Sequence, residues 1–372
     1  MTRLSEPPMN IVMVGPARFR TAPPYAGGLE SFVDVLADAL RRRGHRVEVV
    51  AGCSESVLPT ARRDLPASPE ESRCDGGLLA RAVEAAVERC RPDVVHNNCA
   101  SPEVVELAGS GCAFVSTLHT PPLPDLAEAL TRNHQVVVTP SFSNAAAWSA
   151  VGCDARVIPN GVDRSRFRFG PGRGGYLVWT GRLVPEKGAH LAIAAARLLE
   201  MPLRIAGPAH DPGYFAEHIL PSLESDVVSY EGHLGTDATA RLLGRAECAL
   251  VTPLWSEPFG LVVAEALACG SPVAGFAMGA LPELLDESVS SLTGDLDQRA
   301  LAAAALVAVG LGRRRCRAFS ARFSLDLMVD RYERCYRRAL IEAGPTASGS
   351  RHGSRKMPGR DAGPGQVLTT AS

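Results

Sequence analysis

Two glutamates, Glu257 and Glu265, bracket the run Pro258-Phe259-Gly260-Leu261-Val262-Val263-Ala264, and Ala266-Leu267-Ala268-Cys269-Gly270 follows. Cys248 to Val251 reads as a strand leading into a loop, and Gly260 to Ala268 as a helix ended by Gly270. Glu257 then stands just before the helix, so its carboxylate and the first-turn N–H groups converge on one mouth. That mouth carries partial positive charge and suits a phosphate. Glu265 lies inside an otherwise apolar segment, where a carboxylate needs a hydrogen-bonding partner such as a sugar hydroxyl. Either glutamate alone would read as a helix cap or an ordinary surface residue; the chemistry lies in the pair and in what separates them.

A second charged constellation is Gly181-Arg182-Leu183-Val184-Pro185-Glu186-Lys187-Gly188. Arg182 offers a planar fork and Lys187 a point charge on the same loop, a natural clamp for a pyrophosphate leaving group. In isolation they would read as a solvated loop with a Glu186–Lys187 charge pair. His119, in Ser116-Thr117-Leu118-His119-Thr120-Pro121, stands where a strand ends, which in a parallel sheet faces the ligand crevice. His233, in Glu231-Gly232-His233, is a candidate for a base pocket that loop packing explains equally well. Asp295-Leu296-Asp297 mimics an Asp-x-Asp metal motif but opens a helix, so it reads as a cap and no metal is expected.

The two glutamates, the Pro-Phe-Gly between them and the trailing Gly270-Ser271-Pro272-Val273 strand together resemble the nucleotide-sugar signature of the family-four retaining glycosyltransferases, which have the GT-B fold. Gly27-Gly28-Leu29-Glu30 looks like that family's Gly-Gly loop, where missing side chains let backbone approach a diphosphate. Val157-Ile158-Pro159-Asn160-Gly161-Val162-Asp163 is similar to its interdomain turn and takes no catalytic role. The resemblance runs from about Asn10 to Ile341. It implies that Arg182 and Lys187 bind the donor phosphates, that Gly28, Phe259, Gly260, Leu261 and Glu265 complete the donor site, and that His119 and Glu257 are the catalytic positions beside the donor sugar. One departure is Gly279-Ala280 before Leu281-Pro282-Glu283, where the family often has two glycines; the extra methyl is expected to narrow the backbone approach slightly.

Around these residues, short β-branched runs alternate with helical patterns. Strands are expected at Asn10–Gly15, Arg46–Ala51, Asp93–His96, Ala113–Leu118, Gln135–Thr139 and Ala155–Ile158, with helices at Leu29–Arg43, Gly77–Arg89 and Pro102–Gly109. A second series starts at Tyr176–Thr180 and continues through Leu203–Ala206, Val227–Tyr230, Cys248–Val251 and Ser271–Gly275. Such alternation implies parallel sheets covered on both faces. The expected class is therefore α/β: two facing Rossmann-like doubly wound domains with an interdomain cleft, where ligands bind. The N-terminal acceptor domain is placed at residues 1–162 and the nucleotide-sugar donor domain at 163–325. A helix at 326–342 is expected to pack back toward the N-terminal domain, and 343–372, rich in Gly, Ser and Pro, is read as a disordered tail.

Composition sets the outer bounds. The chain has 372 residues, with 39 Lys plus Arg against 40 Asp plus Glu, so no broad field draws in nucleic acid and any anion site must be local. Ten cysteines lie without CxxC pairing, and Met1 to Pro8 lacks an apolar leader, which points to a cytoplasmic protein. The longest apolar run, Ala300 to Gly312, falls short of the ~20 residues of a membrane span and reads as a buried Ala-rich helix. Arg41-Arg42-Arg43 offers a small basic surface for weak peripheral membrane contact, or simply a solvated helix end. The expected activity is retaining transfer of a sugar from a nucleotide diphosphate-sugar, UDP first among nucleotides, to a small-molecule, secondary-metabolite, lipid or glycan acceptor. No cofactor is expected, and nothing in the sequence sets the oligomeric state. A nucleotide-sugar 2-epimerase and a noncatalytic nucleotide-sugar binder are the competing readings.

Overall fold

The computed structural model describes residues 7–17, 19, 21–51, 76–109 and 111–344; the segment 345–372, read above as a disordered tail, lies outside them. Strands β1 (Asn10–Val14), β2 (Arg46–Val50), β3 (Val94–Asn97), β4 (Ala113–Thr117), β5 (Val136–Thr139) and β6 (Arg156–Val157) form one sheet in the order β2-β1-β3-β4-β5-β6. Strands β7 (Leu177–Thr180), β8 (Leu203–Ala206), β9 (Val228–Tyr230), β10 (Cys248–Val251), β11 (Val273–Phe276) and β12 (Ser290–Thr293) form the other, ordered β12-β11-β10-β7-β8-β9. All ladder pairings described are parallel.

The period of two along each strand assigns the faces. Ile11 and Met13 pack toward the first helix, Gly28–Arg42, while Val12 and Val14 pack toward helix Gly76–Cys90. In the second sheet Leu177 and Trp179 face helices Ala189–Leu199 and Gln298–Val309, and Val178 faces helices Thr236–Arg245 and Leu261–Ala268. Burial on both faces is why these strands carry continuous apolar runs. Strand order reverses between β1 and β3 and again between β10 and β7, and at such switch points the crevice beyond the strand ends stays open.

The chain crosses between domains twice, side by side: Val162 N–H donates to Phe323 O at 2.8 Å and Leu325 N–H donates to Val162 O at 3.1 Å. The last helix, Leu325–Glu342, returns to the N-terminal sheet, where Met328, Val329, Tyr332, Tyr336 and Ala339 join the core built on Ile11 and Met13. Buried polar groups fix its seat. His96 bonds Tyr336 OH through Nδ1 (2.8 Å) and Thr117 Oγ1 through Nε2 (2.8 Å), and Thr117 Oγ1 meets Tyr332 OH at 3.1 Å.

Three local expectations change. Helix Pro102–Val105 is shorter than read, ending ahead of Gly109, whose φ is 107°. The Ala-rich helix runs Gln298–Val309, capped by Asp297 Oδ1 accepting from Arg299 N–H (2.7 Å) and Ala300 N–H (3.0 Å). It is not buried throughout, since Leu306 and Val307 are 62% and 59% exposed. Gly260 lies outside its helix as a left-handed N-cap (φ 78°). Among the described residues no helix is long and apolar enough to cross a membrane.

Candidate donor site in the interdomain cleft

Both switch points open into one cavity of about 770 Å³ between the domains. Arg182, Lys187, Glu257, Phe259, Gly260, Leu261 and Glu265 line it from the C-terminal domain, and Gly28 and His119 from the N-terminal domain. Positions spread over more than two hundred residues of sequence thus share a single wall pair. His233 is also there, and its Nε2 reaches Tyr25 O across the cleft at 2.9 Å.

On the C-terminal wall, the turn Pro185–Lys187 delivers Lys187 to Glu257, not to its neighbour Glu186: Lys187 Nζ donates to Glu257 Oε2. Trp255 Nε1 donates to the same oxygen at 3.0 Å, and the ammonium stands 4.9 Å from the Trp255 ring centroid. Thr252 holds the loop from below, its hydroxyl donating to Lys187 O (2.8 Å) while accepting from Trp179 Nε1 (3.0 Å). Helix Leu261–Ala268 points its N-terminus at this group, and among the described residues the Leu261 and Val262 N–H groups meet no acceptor. Phe259 is buried and packs edge-on against Phe323 at 5.9 Å, anchoring the loop to the core.

Glu265 is half-buried, with its exposed part on the cavity, and the surrounding protein desolvates its carboxyl enough to push it up to about 7. No hydrogen bond reaches that carboxyl among the described residues. Gly279 has φ 57°, and a Cβ there would collide with the Glu257 backbone, so this glycine sets where Glu257 can sit. Ala280 does not narrow the site as expected: its side chain is fully buried in the domain core and does not line the cavity, while its N–H donates to Glu257 O at 2.9 Å.

On the facing wall a Cβ at Gly28 would lie 3.1 Å from Leu261, so the missing side chain first admits the opposite domain. Glu30, buried at the third position of the first helix, is hydrogen-bonded by the Gly27 and Glu30 N–H groups and feels Arg182; burial nonetheless raises its pKa. His119 Nε2 meets Asn98 Oδ1 at 3.1 Å, and Phe32 stands edge-on to its ring at 4.6 Å. Burial holds the imidazole down at about 3, so it is neutral. Cys99 also lines the cavity, but burial pushes its thiol up to about 12, which removes it as a nucleophile. Asn160 also lines the cavity, with its Oδ1 buried and unbonded among the described residues.

Trp255, Thr252 and Asn98 were not singled out from sequence, and Glu30 entered there only as the end of the Gly-Gly motif, without a role. Glu30 had a readable signal, the capping-box position after two glycines, and Trp255 stands two residues before Glu257. Thr252 and Asn98 had none, since each acts through a residue on another strand or loop. Among the described residues no cluster of three or more His, Cys, Asp or Glu side chains is arranged to hold a metal ion.

A family model described as Glycosyltransferase Family 4 matches residues 26–166. Another, described as Glycosyl transferases group 1, matches residues 174–309. The glycogen synthase of Mycobacterium tuberculosis is 28% identical over 338 residues, spanning 74% of this chain and 80% of its own. The phosphatidyl-myo-inositol mannosyltransferase of Mycolicibacterium smegmatis is 28% identical over 336 residues, spanning 81% of this chain and 84% of its own. The crystal structure of AviGT4, a glycosyltransferase involved in avilamycin A biosynthesis, aligns with a TM-score of 0.67 at 27% identity, covering 90% of this chain and 98% of that one.

Proposed function

Because the chain belongs to the family-four glycosyltransferases and carries a two-domain α/β GT-B fold, we infer that it moves a sugar from a nucleoside diphosphate-sugar onto an acceptor hydroxyl, with retention at the anomeric carbon. UDP is the nucleotide expected. The acceptor is a small molecule, a secondary metabolite, a lipid or a glycan; the named relatives differ in what they act on, and the likeness to AviGT4 supports the secondary-metabolite class.

The observation that carries this reading is the Lys187–Glu257 ion pair at the mouth of helix Leu261–Ala268. It puts a cation for the leaving phosphate and a carboxylate for the sugar hydroxyls side by side, under two unbonded N–H groups. As the bond between anomeric carbon and phosphate oxygen breaks, charge builds on the diphosphate, and Lys187, Arg182 and the helix N-terminus stabilise it. Glu257 holds the sugar as it turns cationic, and Glu265 accepts from the nucleotide ribose. His119, neutral, can hydrogen-bond a substrate hydroxyl and does not supply a proton. In the retaining route the acceptor attacks from the face the nucleotide leaves, with the departing phosphate taking its proton.

Thermal-shift screening with UDP-, GDP- and ADP-sugars tests the donor, because a cognate ligand stabilises the fold by mass action. A UDP-sugar should raise Tm and the others should not. Incubation with donor alone distinguishes transfer from isomerisation, since an epimerase needs no acceptor, and the anomeric configuration of the product decides retention.

A further inference from the structure

We propose that Asn98 is a positioning residue for His119, holding the imidazole in its Nε2–H tautomer so that Nδ1 serves as a fixed hydrogen-bond acceptor for a substrate hydroxyl. The proposal rests on the reading of His119 as a donor-site residue. Asn98 is only 2% exposed, and its N–H donates to Val14 O at 3.0 Å, which pins it beyond β3 against the neighbouring strand. Its amide orientation is set by a second bond: Nδ2 donates to His96 O at 3.3 Å. Oδ1 is therefore the atom that meets His119 Nε2, and a carbonyl oxygen only accepts, so the proton sits on Nε2. Nδ1 is left unprotonated, without a partner among the described residues, on a ring that lines the cavity. Phe32 fixes the plane of the ring edge-on, so both the proton and the orientation are specified before substrate binds.

The choice of an amide matters. A carboxylate in this place would raise the basicity of His119, whereas a neutral amide orients it without doing so. The titratable groups on the surrounding elements add no opposing charge at the ring: His96, beneath Asn98, is itself neutral, burial holding it at about 3, and Glu30 on the first helix is bonded to backbone and beside Arg182. Through His96, whose side chain bonds Tyr336 and Thr117, this corner is also tied to the C-terminal helix.

The experiment is ¹⁵N-resolved NMR of the His119 imidazole in the full chain, alongside kinetics of Asn98→Leu and Asn98→Asp. The wild-type ring should show a protonated Nε2, a bare Nδ1 and no titration between about pH 5 and 8. Asn98→Leu should mix the tautomers and lower kcat/KM on the order of tenfold, with nucleotide diphosphate affinity unchanged. Asn98→Asp should keep the tautomer, recover most of that loss at high pH, and bring a new limb into the pH–rate profile near neutrality. A wild-type ring protonated on Nδ1, or an Asn98→Leu enzyme with wild-type kcat/KM per folded molecule, would overturn the proposal. A purely structural role would lower Tm and leave tautomer and pH profile alone, and that result overturns it too. Full transfer by His119→Ala would instead sink the placement of His119 in the site while leaving the wild-type tautomer as measured.

Discussion

Lys187 is paired with Glu257, so on the proposed reading a diphosphate arriving at the helix mouth competes for the same ammonium. Lys187→Ala should lower kcat/KM by about 10²–10³ through lost stabilisation of the leaving group, and Arg182→Ala should act in the same direction. Arg182 makes no hydrogen bond or ion pair among the described residues, so its removal should shift Tm little. Wild-type kcat/KM in either variant would remove that residue from the clamp. The two glutamates should divide their work. Glu257→Gln should chiefly slow transfer, whereas Glu265→Gln should also weaken the free nucleotide diphosphate by about 1–3 kcal/mol, as for loss of a charged hydrogen bonder. Calorimetric titration giving equal affinities for both variants would show the roles to be divided wrongly. Glu265 also sets a pH dependence. Its folded pKa of about 7 lies above the ordinary carboxylate value of 4.5, so the fold loses stability as pH rises between the two. On the proposed reading binding runs the other way: ribose hydroxyls donate to the ionised form, so nucleotide diphosphate affinity should rise as pH passes about 7. Affinities measured on both sides of that pH check the sign, with Glu265→Gln as the reference that carries only the titration of the phosphate itself, which is common to both proteins.

Between residue and domain, the elements hold one another through termini and tight turns. Glu283, at the end of Gly279-Ala280-Leu281-Pro282-Glu283, caps the start of helix Phe142–Ser149 in the opposite domain. Its Oε1 accepts from Phe142 N–H at 2.8 Å and its Oε2 from Ser143 N–H at 2.7 Å. The same short segment thus closes the cleft at one end and shapes Glu257 at the other. Gly279→Ala should be costly because the residue adopts a left-handed φ of 57° and its Cβ position is occupied by the Glu257 backbone. About 1–2 kcal/mol of backbone strain comes on top of the displacement. Donor turnover should fall more than Tm does; a variant that keeps full activity would mean that Glu257 tolerates relocation.

For the whole molecule, the last helix makes the two domains one folding problem, because residues that follow the C-terminal sheet in the chain complete the core of the N-terminal domain. The buried His96, Thr117, Tyr332 and Tyr336 side chains serve that docking. Tyr336→Phe leaves His96 Nδ1 without its partner in a site closed to water. The cost should be about 1–3 kcal/mol in a denaturant titration of the full chain, with nucleotide diphosphate affinity unchanged. A midpoint equal to wild type would show that the hydroxyl contributes nothing to the seat of the helix.

What the sequence determined by itself was most of the short-range structure, apart from the end of helix Pro102–Val105 and the start of helix Leu261–Ala268. The alternation of Ile11 and Met13 with Val12 and Val14, the strand, loop and helix carrying Glu257 and Glu265, and the Gly-stopped first helix follow from periods of two and 3.6 and from turn chemistry, which act within about a dozen residues. So did the family signature, since its spacing is local. The tertiary structure alone decided which side chains meet. Lys187 pairs with Glu257 and not with adjacent Glu186, Asn98 meets His119 from the neighbouring strand, Glu283 caps a helix in the other domain, and Ala280 turns into the core instead of the cleft. Each of those contacts depends on how two sheets and a returning helix are placed in space, and that placement is set by burial summed over the whole chain, which no local spacing records.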